Sequence, residues 1–167
     1  MNIGLLLLRV ALGATLAAHG SQKLFGTFGG HGIAGTGSFF ESIGFKPGRP
    51  LALLAGLAEM LGGVALVLGL LTPFAVAVLL STMLVAMMVH ADKGFFAQSG
   101  GYEYPLILAI SVVVLAFTGP GAISLDAALG LTFGGEKAGF IAMALGLFGA
   151  VPPLVLRAFR RSRQVAA

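Results

Sequence analysis

The stretch PLALLAGLAEMLGGVALVLGLL, residues 50–71, decides the fold. It is almost wholly apolar and long enough to cross a bilayer, which takes about 20 such residues in a helix. Its one ionisable residue is Glu59, which on a helix shares a face with Gly56 and Gly63. Small residues let a second helix approach closely, and a carboxyl within a membrane is tolerated where it faces protein or water. We therefore expect the Glu59 face to point into a helix bundle.

The composition of the whole chain indicates an integral membrane protein. Of its 167 residues, 57% are hydrophobic and 10% are charged, whereas about a quarter of a soluble domain is charged. The absence of cysteine excludes disulfides, thiol catalysis, iron–sulfur clusters and Cys-ligated zinc within this chain. The net charge of +4 owes most to the arginine-rich tail, residues 157–167. Such a tail is typical of a segment that faces anionic lipid, so no nucleic-acid partner is expected.

Five apolar runs organise the chain. The predicted spans lie at residues 3–24, 50–71, 74–89, 102–118 and 139–156. The tight turn at Thr72 and Pro73 makes the second and third spans an antiparallel hairpin. Residues 25–49 are too polar to span, and a short interfacial helix is expected near residues 38–43. The fifth run contains Pro152 and Pro153 in its last turn, so it could span or lie partly in the interface.

The predicted fold class is therefore all-α, a polytopic membrane bundle of four core transmembrane helices plus a fifth C-terminal one. Residues 1–167 form a single membrane domain that ends in the basic tail. With five spans, most basic residues outside the membrane fall on one side, which marks the cytoplasmic side. These residues are Lys23, Lys46, Arg49, Lys93 and the tail arginines. We accordingly expect the C-terminus in the cytoplasm, provided that the fifth run crosses.

Polar side chains collect at one end of the predicted bundle. The depth of each residue follows from a rise of about 1.5 Å per residue. His19 and Lys23 end the first span, His90 ends the third, and Tyr102 and Glu103 begin the fourth. The candidate ligand-binding or proton-handling residues are His19, Lys23, Glu59, His90, Tyr102 and Glu103, and we expect the groups at this end to line one pocket. Glu59 lies deeper and is either such a group or a structural hydrogen-bond anchor.

Arg9 is the other charge buried in a predicted span. Its estimated depth differs from that of Glu59 by about 9 Å, which two long side chains or a water can bridge. Because neither charge is stable alone in hydrocarbon, we expect a structural Arg9–Glu59 ion pair. No metal site is expected, since His19 and His90 do not have a metal-ligand spacing. His31, in a glycine-rich loop, is expected to be solvated.

Four segments together resemble the DoxX family of small bacterial membrane proteins. They are LLLLRVALGATLAAHGSQKLFG, AEMLGGVALVLGLLTPFA, MMVHADKGFF and GGYEYPLILAI, and the resemblance runs from about residue 5 to residue 126. That family is similar to the membrane subunit of an archaeal thiosulfate:quinone oxidoreductase. Its wider superfamily includes a cargo receptor, so the fold alone does not define the function. The resemblance implies a multi-pass protein of the bacterial cytoplasmic (inner) membrane.

Three functions are compatible with these features. The first is a redox-associated subunit that binds a quinone or a similar lipid-soluble ligand; as an enzyme it would be a subunit of a quinone-linked oxidoreductase without a covalent cofactor. The second is a non-catalytic scaffold that recruits redox or stress-response proteins. The third is a lipid or small-molecule transporter. The expected partners are the lipid bilayer and, in the first two cases, redox proteins, and a homo-oligomer is compatible with all three.

Overall fold

The computed structural model describes residues 1–131 and 133–165, and this part of the chain is helical without any strand. The helices are α1 (Asn2–Phe25), α2 (Gly32–Ser42), α3 (Gly48–Leu68), α4 (Thr72–His90), α5 (Glu103–Thr118), α6 (Leu125–Ala128) and α7 (Gly135–Val165). Short 3-10 turns at Ala91–Lys93 and Ala97–Ser99 lie between α4 and α5. The predicted all-α membrane bundle is thus confirmed. The helix α2 overlaps the short helix expected near residues 38–43 but begins earlier, at Gly32.

Within the residues that the structure describes, four helices are long and apolar enough to cross a membrane, namely α1, α3, α4 and α7. The C-terminal run is therefore one of the long helices. The short one is α5, whose 16 residues fall below the usual length of about 20 for a span. It nevertheless packs along α4 and α7, so it runs through the body of the bundle.

Arg157 shows that α7 returns to the end of the bundle where α1 finishes. Its Nε donates to the carbonyl of Ile43 at 3.1 Å, and its Nη1 donates to the carbonyl of Met88, near the end of α4, at 3.0 Å. Its guanidinium also lies over the Phe45 ring. We call this end, formed by residues 23–47, 90–102 and 157–160, the Lys23 end. The opposite end, formed by residues 69–71 and 119–131, is the Asp126 end.

Glycines bring α1 and α3 into direct backbone contact. A Cβ atom added at Gly20 would lie 2.4 Å from the amide nitrogen of Met60, and one added at Gly63 would lie 2.5 Å from the carbonyl oxygen of Gly13. Contacts this short exclude any larger residue without a shift of the backbone. The expectation that the Gly56, Glu59 and Gly63 face of the second span packs against another helix is confirmed. The opposite face exposes its leucines, as a lipid-facing surface does.

A buried polar network closes the Asp126 end. Asp126 is fully buried and accepts hydrogen bonds from the backbone N–H of Leu71 at 2.7 Å and of Thr72 at 3.0 Å. The Thr72 hydroxyl donates to the same carboxylate at 2.7 Å. A carboxylate placed at the first turn of a helix satisfies N–H groups that have no partner within the helix. Asp126 therefore caps α4 from a distant part of the chain.

Candidate functional site

Lys23 and Glu59 form a partly buried ion pair between α1 and α3. The Lys23 ammonium donates to Glu59 Oε2, and the two side chains are 23% and 5% exposed. Both residues lie one helical turn beyond a glycine at which the helices touch, Gly20 on α1 and Gly56 on α3. The close approach of the two backbones thus brings the side chains within reach of each other. Pairing compensates both charges for their removal from water.

The predicted Arg9–Glu59 ion pair is wrong. Arg9 is 1% exposed, but its Nη2 donates to the carbonyl of Ile123 at the Asp126 end, and the charge of Asp126 acts on it there. Depth arithmetic locates Cα atoms, whereas a long side chain can carry its charge about one helical turn along the axis. Arg9 extends toward one end of the bundle, and Lys23 reaches down from the other to Glu59.

A polar cleft of about 270 Å³ opens beside Lys23. It is lined by His19, Gln22, Lys23, Gly29, Gly30, His31 and Thr36. These residues come from the last turns of α1, the glycine-rich loop that follows, and the start of α2. The loop lies directly on α1, because a Cβ atom at Gly30 would be 2.5 Å from the carbonyl oxygen of Gln22. His31 is exposed, as expected, yet it forms part of the cleft wall.

His19 links the cleft to α5. Its Nδ1 lies 3.1 Å from Gln22 Oε1, and its Nε2 lies 3.3 Å from the hydroxyl of Tyr104. The His19 and Tyr104 rings meet edge to face, with their centroids 5.8 Å apart. Tyr104 was absent from the residues selected by sequence. Its position in the first turn of a helix that begins at this end is the signal that could have identified it.

The other three candidates fold the loop between α4 and α5 and do not line the cleft. His90 donates from Nδ1 to the carbonyl of Gly100 at 2.6 Å. Glu103 Oε2 accepts from the Ala97 N–H at 2.9 Å, and Tyr102 packs its ring against a neighbouring phenylalanine of the loop. The structure therefore does not place all the candidates at this end in one pocket. The structure brings together His19, Lys23 and Glu59, and it adds His31, Gln22 and Tyr104 to this group.

Comparisons with known proteins place the sequence of this chain in a family. The DoxX family model matches residues 4–92, a region that contains Lys23, Glu59 and most of the cleft. A Bacillus subtilis protein named "Putative oxidoreductase CatD" is 32% identical over 138 residues, which cover 83% of this chain and 93% of that protein. The Escherichia coli "Inner membrane protein YqjF" is 31% identical over 126 residues, covering 75% of this chain and 91% of that protein.

An uncharacterised Haemophilus influenzae protein is 37% identical over 83 residues, covering 47% of this chain and 62% of that protein. No solved structure matches the chain. The family match covers more than half of the sequence, and the Bacillus subtilis relative aligns over nearly its whole length. With its helical membrane fold, this chain belongs to the DoxX family.

Proposed function

We propose that this protein is an inner-membrane subunit of a quinone-linked oxidoreductase and that it holds a quinone head group in the cleft beside Lys23. The observation that carries the proposal is the position of Lys23, which lines the cleft while its ammonium is held by the buried carboxylate of Glu59. A cation held in this way is a fixed hydrogen-bond donor at the membrane surface. Such preorganised donors are typical of sites that bind oxygen atoms bearing partial or developing negative charge.

The cleft is rich in donors. A lysine ammonium has three N–H groups, and Glu59 takes one of those on Lys23. The Thr36 hydroxyl and the His31 imidazole are two further groups in the wall that can donate. A ligand that fits this pattern presents acceptor oxygens. The two carbonyl groups of a quinone are acceptors only, so they match the cleft better than an amine or an alcohol does.

The size and location of the cleft also suit a ring with an apolar tail. Its volume of about 270 Å³ lies just below the range of roughly 300–1,000 Å³ that encloses a whole drug-sized ligand. A head group therefore fits, while an isoprenoid tail would remain in the bilayer. Phe25 and Phe28 lie in sequence between Lys23 and Gly29 of the cleft wall; they are 67% and 76% exposed and would supply an apolar surface for the tail.

Quinone reduction also needs protons and electrons. Conversion to the quinol takes up two protons and two electrons, and the Glu59 carboxyl, paired with Lys23 of the cleft wall, would handle the protons. An electron-donating partner protein would supply the electrons from the Lys23 end. The names of two relatives support this assignment, "Putative oxidoreductase CatD" in Bacillus subtilis and "Inner membrane protein YqjF" in Escherichia coli.

The test is to identify what the protein carries out of the membrane. The full chain is purified in mild detergent, its lipids are extracted, and quinones are measured by mass spectrometry against an equal amount of an unrelated membrane protein from the same cells. We expect a quinone enriched in near-stoichiometric amount. The proposal would be overturned if the quinone content equals that of the unrelated protein and the purified chain does not bind added menadione. Co-purifying redox proteins would in that case favour a scaffold.

A further inference from the structure

The cleft contains a hydrogen-bond chain whose direction is determined by its chemistry. The carbonyl oxygen of Phe28 can only accept, so the group of Gln22 that faces it at 3.0 Å is the donating Nε2. Gln22 Oε1 therefore faces His19, and this oxygen is itself only an acceptor. It follows that His19 Nδ1 donates and carries the proton of the neutral imidazole.

The other nitrogen of His19 is then an acceptor. In a neutral imidazole with its proton on Nδ1, Nε2 has a free lone pair. The Tyr104 hydroxyl lies 3.3 Å from Nε2 and is the group that can donate to it. The chain thus runs from Tyr104 on α5 through His19 and Gln22 on α1 to the backbone of Phe28.

We propose that Tyr104 is a positioning residue of the cleft, which acts by selecting the Nδ1–H tautomer of His19. The proposal rests on the proposed function, since that function makes the cleft a ligand site. With Nδ1 bound to Gln22 and Nε2 bound to Tyr104, His19 has no N–H left for a ligand. The head group is accordingly received by Lys23 and the opposite wall, and His19 keeps the shape of the cleft.

The chain also holds the cleft wall in place. Gln22 donates to the carbonyl of Phe28, and the residues that follow, Gly29 and Gly30, line the cleft. Loss of the Tyr104 hydroxyl frees Nε2, and His19 can then adopt the other tautomer, which has no proton to donate to Gln22. His19 then no longer donates to Gln22, so the hydrogen bonds that hold Gln22 and the loop at Phe28 weaken. Every residue that lines the cleft is still present in this variant.

The first measurement is the tautomer itself, which does not depend on any ligand. The chain has three histidines, so ¹⁵N-histidine labelling gives few signals, and single His31→Ala and His90→Ala variants assign them. At a pH where His19 is neutral, we expect its Nδ1 to show the protonated shift and its Nε2 the unprotonated shift. Tyr104→Phe should move both shifts toward a mixture, whereas Tyr102→Phe, which removes the other phenol hydroxyl, should leave them unchanged.

The second measurement is the binding of menadione, a quinone head group without a tail. Loss of one neutral hydrogen bond should weaken binding about fivefold in Tyr104→Phe and not in Tyr102→Phe. If Tyr104→Phe does not fold, Gln22→Ala tests the same chain, because it removes the acceptor from Nδ1. An unchanged His19 spectrum in Tyr104→Phe, or equal menadione affinity, would overturn the positioning role. Failure of the wild-type protein to bind menadione would instead overturn the proposed function and leave the tautomer result standing.

Discussion

Lys23 of α1 and Glu59 of α3 share a hydrogen-bonded ion pair inside the bundle, at the end where the polar cleft opens. The pair joins two helices whose backbones touch at glycines, and its lysine also lines the candidate site. The same contact thus belongs to the packing of the bundle and, under the proposed function, to the ligand site. The same contact explains why a carboxyl is tolerated near the middle of an apolar span.

Breaking this pair should destabilise the protein. Glu59→Gln and Lys23→Met each leave one partner uncompensated, at a cost of about 3 kcal/mol, because Lys23 is partly exposed and the penalty falls at the lower end of that for buried pairs. The double variant should cost about 2 kcal/mol less than the sum of the single ones. Unfolding free energies in mixed detergent measure this cycle. As a control, Arg9→Leu combined with Glu59→Gln should be additive, and strict additivity for Lys23 and Glu59 would contradict the pair.

The cap at the Asp126 end leads to a second stability prediction. Asp126→Asn puts an amide donor in place of one carboxylate oxygen, so that it faces either the Leu71 N–H, which Oδ1 accepts, or the Thr72 N–H and O–H, which Oδ2 accepts. We expect a loss of about 3 kcal/mol, since hydrogen bonds to a buried charged group are strong. The matched change Asp92→Asn, at an exposed carboxylate, should alter stability by less than about 0.5 kcal/mol. Equal stability of the two variants would show that Asp126 does not cap α4.

The glycine contact between α1 and α3 should not accept a methyl group. Gly20→Ala forces its Cβ against the backbone of Met60, and the resulting shift should cost about 2 kcal/mol. Gly4→Ala, on the same helix, is the control because its Cβ meets nothing within 4 Å. Thermal melting of the two purified variants separates them. A Gly20→Ala protein as stable as Gly4→Ala would mean that the helices lie farther apart than described.

The orientation of the protein in the membrane can be tested by labelling single cysteines, because the chain has no cysteine of its own. Single-cysteine variants Ser99→Cys and Arg160→Cys lie at the Lys23 end, and Ala128→Cys lies at the Asp126 end. Given the basic residues at the Lys23 end, an impermeant maleimide should label only Ala128→Cys in intact cells. The other two should react after permeabilisation. Labelling of Arg160→Cys but not of Ser99→Cys from outside would show that α7 does not cross.

Most of the fold could be predicted because the bilayer imposes it. A span must be apolar over about 20 residues, so the helices are visible as hydrophobic runs. The direction of the spans placed His19 and Lys23 at one end, and the structure agrees. The fourth predicted run, residues 102–118, agrees with α5 to within one residue. The extent of α2 was less clear, since the length of a helix outside the spans is not set by the bilayer thickness.

The details of the site depend on contacts between segments of the chain, and the helical periodicity of the sequence does not predict these contacts. The cleft exists because the glycine-rich loop folds back onto Gln22, and nothing in the spacing of its glycines specifies that path. The partner of Glu59 depends on how far two side chains extend along the helix axis, so the choice between Arg9 and Lys23 could not be made from depth. His90 and Glu103 were correctly placed at the same end, but they bind their own loop.

Under the proposed function, Lys23, held by Glu59, receives the oxygen of a quinone head group. Titration of purified protein in nanodiscs with menadione, followed by calorimetry, tests it directly in the wild type and in Lys23→Met. Lys93→Met is the matched control, since Lys93 is exposed at the same end but does not line the cleft. Circular dichroism shows whether each variant is folded.

A charge-assisted hydrogen bond contributes about 1.5–3 kcal/mol, so Lys23→Met should weaken menadione binding at least about tenfold. Lys93→Met should bind as the wild type does. If folded Lys23→Met binds menadione with unchanged affinity, or if the wild-type protein does not bind it, the assignment of the cleft to a quinone is contradicted.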